Sequence, residues 1–211
     1  MPQILVFGDS TAHGSLDPAG GWVAHLNAYC ERKALESPNY YFPVYNLGIS
    51  GDVSTGLLQR FANETRVRIG EEKETIFIFQ NGSNDAMYLK REKRNQISPE
   101  QFRSNMAKLI ETAQKFPGKI VFLGIKAVDE KRLNPIPWYK NGSYLNRYLT
   151  QYNQILKEVC RQAEIPFIDL SVELPADFAI KKMVDGVHPN TAGHKLIWEI
   201  VKRFLVGQRW I

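Results

Sequence analysis

The feature that most constrains this chain is a regular alternation of two kinds of segment. Short runs of apolar and β-branched residues are separated by longer stretches whose apolar residues recur every three or four positions. The short runs fall at residues 4–7 (Ile-Leu-Val-Phe), 41–47, 75–79 (Thr-Ile-Phe-Ile-Phe), 119–124 and 166–170. Helical spacing fills residues 21–35, 57–69, 98–115, 144–162 and 191–206. Strands that are apolar on both faces must be covered on both faces, and parallel strands need crossover segments long enough to hold a helix. The pattern therefore predicts a three-layer α/β/α sandwich around a five-stranded parallel sheet. No repeat, linker or low-complexity tract divides it, so residues 1–211 read as one domain, long enough to bury a full core. Ligands of such sheets bind at the carboxyl ends of the strands, which is where chemistry is to be sought.

Composition narrows the function classes. No apolar run approaches the ~18 residues that cross a bilayer, so no membrane span is expected. The first strand begins almost at once, without a basic stretch, apolar segment and cleavage site, so a cytoplasmic protein is expected. A net charge of +5 could suit nucleic acid, but the basic residues are scattered. The densest cluster, Lys90 to Arg94, is interrupted by Glu92 and reads as a solvated loop, so no nucleic-acid partner is expected. Cys30 and Cys160 lie within amphipathic helices and read as core residues, and neither has a metal-ligand neighbour. The oligomeric state is left open.

The residues after the strands carry the chemistry. Gly8-Asp9-Ser10-Thr11 follows the first strand. A serine at a tight strand-to-helix turn exposes its hydroxyl and aims its own N–H at the same point, as a nucleophile requires. The same tripeptide also suits an ordinary turn in which Asp or Ser caps the next helix. Gly48-Ile49-Ser50-Gly51 follows the second strand and can present the Gly51 N–H as a donor, or simply turn. Asn81-Gly82-Ser83-Asn84-Asp85 follows the third and offers a neutral amide donor, although turns favour these residues anyway.

Near the C-terminus, Asp185-Gly186-Val187-His188-Pro189 precedes the last helix. The spacing lets Asp185 accept from His188 Nδ1 and leaves Nε2 to take a proton from a serine. Of the other histidines, His13 could line the pocket, and His25 and His194 fall within helices. Asp9 reads as a structural turn residue and Asp85 as a brace for the loop carrying Asn84. The irregular stretch 129–143 contains Trp138 and Tyr139 and is either a binding loop or a packed surface loop.

Taken together, these blocks resemble those of the SGNH hydrolases, the GDSL esterase/lipase family. The resemblance spans nearly the whole chain, with Thr11 standing where leucine is usual. It implies a flavodoxin-like sheet and a serine-dependent carboxylic ester hydrolase with Ser10, Asp185 and His188 as catalytic residues. It also implies an oxyanion hole from the N–H groups of Ser10 and Gly51 and the side chain of Asn84. Short acyl, acetylated sugar or lipid esters are the expected small-molecule substrates, with Trp138, Tyr139 and His13 as substrate-binding candidates and no cofactor or metal required. Two rivals stay open: an acyltransferase using the same triad, and a non-catalytic carbohydrate-binding protein on the same scaffold.

Overall fold

The computed structural model describes residues 2–37, 40–69 and 74–211. From the N-terminus, β1 (Gln3–Gly8) leads into a single helical turn, α1 (Ser10–His13), and then into α2 (Gly21–Glu36). β2 (Val44–Gly48), α3 (Ser54–Arg66) and β3 (Thr75–Gln80) follow. A small hairpin, β4 (Tyr88–Leu89) and β5 (Arg94–Asn95), precedes α4 (Pro99–Ala113) and β6 (Gly118–Leu123). β7 (Gly142–Ser143), α5 (Asn146–Gln162), β8 (Phe167–Ile168), α6 (Leu170–Glu173), α7 (Phe178–Lys181) and α8 (Thr191–Gly207) complete the chain.

The five main strands pair in parallel in the order β2-β1-β3-β6-β8. This is the expected α/β/α sandwich with flavodoxin-like order. Because successive side chains point to opposite faces, the central strands sort their residues into two cores. Leu5, Phe7, Phe77, Phe79 and Phe122 lie on one face with Leu57 and Phe61 of α3, Phe102 and Met106 of α4, and Tyr152 and Leu156 of α5. Ile4, Val6, Ile76, Ile78 and Val121 lie on the other with Trp22 and Leu26 of α2 and Ile197 and Val201 of α8. The aromatic face is laddered by register: Phe7 pairs with Phe79 and Phe79 with Phe122, their rings 5.7 and 4.6 Å apart. Cys30 and Cys160 are free, and they sit in these two opposite cores. Burial pushes both thiols up to about 12, which leaves them inert.

From β1 the chain moves to one neighbouring position, β2, and then returns past β1 to β3. The order therefore reverses at β1, and the crevice beyond the ends of β1 and β3 is the switch point where ligands of such sheets bind.

Several element boundaries differ from the sequence expectation. The second strand starts at Val44, not 41, and lies at the sheet edge with Tyr45 and Asn46 exposed. Helix α3 starts three residues earlier than residue 57 and ends at Arg66. The fifth strand shrinks to Phe167–Ile168, because Leu170 already opens α6. Ser98 caps α4 by accepting from the Gln101 N–H (3.2 Å), but the Gln101 side chain does not reach back to Ser98 to complete a capping box. Instead, the Gln101 side chain donates to Asn105 Oδ1 at 2.7 Å. The Lys90–Arg94 cluster forms the exposed tip of the hairpin, and the antiparallel sheet β5-β4-β7 that carries it was not anticipated. Two-residue strands are too short for a periodicity to register.

Candidate active site

Ser10, Asp185 and His188 are 175 or more residues apart in sequence at their extremes, yet they form one hydrogen-bonded line. His188 Nε2 lies 2.9 Å from Ser10 Oγ, and His188 Nδ1 lies 2.7 Å from Asp185 Oδ2. Asp185 Oδ1 accepts from the backbone N–H groups of Val187 (3.0 Å) and His188 (2.9 Å). Burial pushes the Asp185 carboxyl up, but the His188 ring and those two amides outweigh it and hold the group down at about 2. It is therefore a carboxylate across the neutral range, facing Nδ1, and this fixes the tautomer that leaves Nε2 free to accept from the serine.

The Gly-Asp-Ser turn is a helix cap, and the same turn brings its serine to His188. Asp9 is the N-cap of α1, its side chain accepting from the Thr11 N–H at 2.9 Å, while Ser10 faces His188. The loop 183–189 is pinched shut by a bridge between Met183 and Pro189 and by the Val184 N–H donating to the His188 carbonyl at 2.8 Å. Gly186 at φ 103° makes the reversal. A side chain is disfavoured there by conformation, and a Cβ would also meet Leu133 Cγ at 3.1 Å.

The loop after β6 holds the pinched loop from outside. Three consecutive-region carbonyls are taken: Val184 O by Arg132 Nη2 (2.7 Å), Gly186 O by the Asp129 N–H (2.9 Å) and Val187 O by Lys126 Nζ (2.8 Å). The first part of the irregular stretch 129–143 is thus a brace for the Asp/His loop.

Asn84 is buried in the turn that follows β3. Its Nδ2 donates to the Asp52 carbonyl at 2.9 Å and its Oδ1 accepts from Tyr144 Oη at 2.6 Å. A carbonyl can only accept, so the amide orientation is determined by its partners, and one Nδ2 hydrogen remains uncommitted to Asp52. Gly51 is exposed at φ 82°, and a Cβ there would meet nothing within 4 Å. Asp85 accepts from the Ser54 N–H with both oxygens (2.9 and 3.1 Å), tying the end of β3 to the start of α3. Asp52 pairs with Arg60 at 2.8 Å, and Arg60 reaches the Gly8 carbonyl at 3.2 Å, joining the Gly51 loop to the end of β1.

The substrate-binding candidates are placed unequally. The Trp138 ring lies over His188, with centroids 6.5 Å apart and planes at 27°, and its side chain is 58% exposed. Tyr139 is exposed beside it. His13 ends α1 with its ring exposed, and its carbonyl accepts from Asn46 Nδ2 at 3.4 Å. His194 is a core residue whose Nδ1 accepts from the Trp22 N–H at 3.3 Å, and burial pushes it down to about 4. Sequence reasoning missed Tyr144 and Lys126. Tyr144 had no local signal. Lys126 had one: a lone lysine in the otherwise apolar run Leu123-Gly124-Ile125-Lys126-Ala127-Val128. Among the described residues no helix is long and apolar enough to cross a membrane, and no group of three or more His, Cys, Asp or Glu could hold a metal ion.

Residues 6–196 match the model of the GDSL-like Lipase/Acylhydrolase family. Esterase TesA of Pseudomonas aeruginosa is 28% identical over 199 residues, covering 94% of this chain and 85% of that protein. A solved structure of TesA aligns with a TM-score of 0.68 at 26% identity, covering 96% of this chain and 97% of the other. A lipase/acylhydrolase from Enterococcus faecalis shares the fold with a TM-score of 0.74 at 24% identity, covering 99% of this chain and 97% of the other.

Proposed function

This chain belongs to the GDSL-like lipase/acylhydrolase family and is a carboxylic ester hydrolase, and from that premise we propose that it works through an acyl-enzyme on Ser10. The observation that carries the reading is the unbroken line Ser10 Oγ–His188 Nε2, His188 Nδ1–Asp185 Oδ2, at 2.9 and 2.7 Å. His188 takes the Ser10 proton as Oγ attacks the ester carbonyl, and Asp185 stabilises the imidazolium that results. The oxyanion is met by the N–H groups of Ser10 and Gly51 and by the uncommitted Nδ2 hydrogen of Asn84. These donors are fixed before the charge develops, so little reorganisation is needed in the transition state. His188 then protonates the leaving alcohol, and water, activated by the same base, releases the acid. No cofactor enters these steps.

Short acyl, acetylated sugar and lipid esters are the substrate classes this open site suits. Trp138 and Tyr139 offer an exposed aromatic surface beside His188, able to cover an acyl chain or stack on a sugar ring. His13 lies at the rim on the β2 side.

A chain-length series of p-nitrophenyl esters, run beside acetylated sugars on wild type and Ser10→Ala, tests the reading. Loss of the nucleophile is expected to cost on the order of 10⁶ in kcat, and a fluorophosphonate probe is expected to leave its adduct on Ser10. Substantial activity in Ser10→Ala, or an adduct elsewhere, overturns the assignment.

A further inference from the structure

Lys126 is a buried lysine that reaches the loop carrying Asp185 and His188. It is only 3% exposed and follows β6, where the Gly124 N–H donates to Ile168 O and the Ile125 N–H to Asn153 Oδ1, both at 2.8 Å. The backbone that carries it is therefore firmly held. Lys126 lines a small cavity together with Asp9, Thr11, Gln80, Asn81, Ser83 and Ile125. Burying an ammonium group is expensive unless charges and acceptors compensate it. Burial pushes the Lys126 ammonium down to about 8, opposed by the charges of Asp9 and Asp185, and its Nζ donates to Val187 O at 2.8 Å.

The accepting carbonyl is not an arbitrary one. Val187 C=O belongs to the same peptide unit as the His188 N–H, and that N–H donates to Asp185 Oδ1 at 2.9 Å. An ammonium pulling on the carbonyl end polarises the N–H at the other end, because hydrogen bonds in a chain reinforce one another. It also fixes the plane of the peptide from which the His188 side chain departs. The neighbouring holds on Val184 O and Gly186 O come from an exposed guanidinium and a backbone amide. Only Lys126 brings a buried charge.

We propose that Lys126 is a positioning residue for the triad, its ammonium clamping the Val187–His188 peptide so that Asp185 and the His188 ring stay aligned with Ser10. The inference rests on the acyl-enzyme reading above. Misplacing a catalytic group by about 1 Å can cost ~10²-fold, so the clamp is expected to act on kcat and leave ground-state binding alone.

The test compares wild type, K126M, K126R and D185N, with the double variant K126M/D185N, on a p-nitrophenyl ester. Folding is checked by circular dichroism. K126M is expected to lower kcat by roughly 10- to 100-fold with KM nearly unchanged, and to shift the low-field proton resonance of His188 Nδ1–H. K126R, which keeps charge and donor, is expected to restore most of the rate. In the D185N background K126M is expected to add little, because the two act as a unit. If K126M does not fold, K126Q is read by the same criteria. A folded K126M or K126Q with wild-type kcat, a loss confined to KM, a K126R as impaired as K126M, or full additivity with D185N overturns the proposal. Labelling of wild type at Ser10 keeps the outcomes separable: its failure sinks the acyl-enzyme reading, whereas normal labelling with an unimpaired K126M sinks only the clamp.

Discussion

Tyr144 shows how a single hydroxyl can fix a buried amide beside the proposed catalytic residues. Its Oη donates to Asn84 Oδ1 at 2.6 Å, and Asn84 Nδ2 donates in turn to Asp52 O at 2.9 Å. The amide is held at both ends, and burial pushes the Tyr144 hydroxyl far above its usual range, so it remains a donor at every working pH. Tyr144→Phe removes that donor and leaves a buried acceptor unpaired, which costs ~1–3 kcal/mol. With the amide free to turn away from the oxyanion, kcat is expected to fall about tenfold with KM little changed. Steady-state kinetics on a short p-nitrophenyl ester check this, and an unchanged kcat would remove Tyr144 from the oxyanion hole's support. Asn84 was legible as a strand-end amide, but Tyr144 was not. Sixty residues separate them, and nothing in a tyrosine at the end of a loop says which amide it will meet.

At the scale of elements, the site is a set of loops tied to one another by side chains that reach across the switch point. Asp85 links β3 to α3 through Ser54, and Arg60 links α3 back to the end of β1. Asp85 is buried, and burial pushes its carboxyl from 3.8 up to about 6 against the opposing hydrogen bonds from Ser54. The folded chain therefore holds this proton more tightly than the unfolded chain does. The contribution of Asp85 to stability is greatest below about pH 4 and is lost as pH rises through 6. Asp185, held at about 2, works in the opposite sense and loses its contribution only in strong acid. Asp85→Asn isolates the first effect. The stability difference between wild type and Asp85→Asn is expected to shift against wild type by up to about 3 kcal/mol between pH 4 and 7. Urea titrations at several pH values measure it, and a pH-independent difference would show that Asp85 is not a buried titrating group. The brace role of Asp85 matches the sequence expectation in kind. Its partner, the first amide of α3, emerged only with the fold, because the predicted helix began at residue 57.

For the whole molecule, the two hydrophobic cores share the same central strands, β1, β3 and β6, with aromatic residues on one face and β-branched residues on the other. Neither layer of helices can leave without exposing the sheet that the other covers. Residues 1–211 are therefore expected to unfold as one cooperative unit. Loss of esterase activity, near-UV and far-UV circular dichroism should coincide in denaturant, and separate transitions would point to independent units.

By itself the sequence determined the layers, the parallel sheet and the identities of the strand-end residues. Those properties depend on periodicity and on backbone rules that operate over a few residues: alternation fixes what is buried, and a strand in a doubly wound sheet presents its carboxyl end to the crevice. Ser10, Gly51 and Asn84 were legible as candidates in this way, and Asp185 and His188 from their own spacing just before the last helix. Tertiary structure alone decided their company. That Lys126, Asp129 and Arg132 would grip three carbonyls of the Asp/His loop, that Tyr144 would fix Asn84, and that Trp138 would lie over His188 are outcomes of chain segments meeting across the sheet. Such contacts have no period and no spacing. They exist because buried donors and acceptors must find partners once the core has closed, and which partners are within reach is settled only by the packing of the whole.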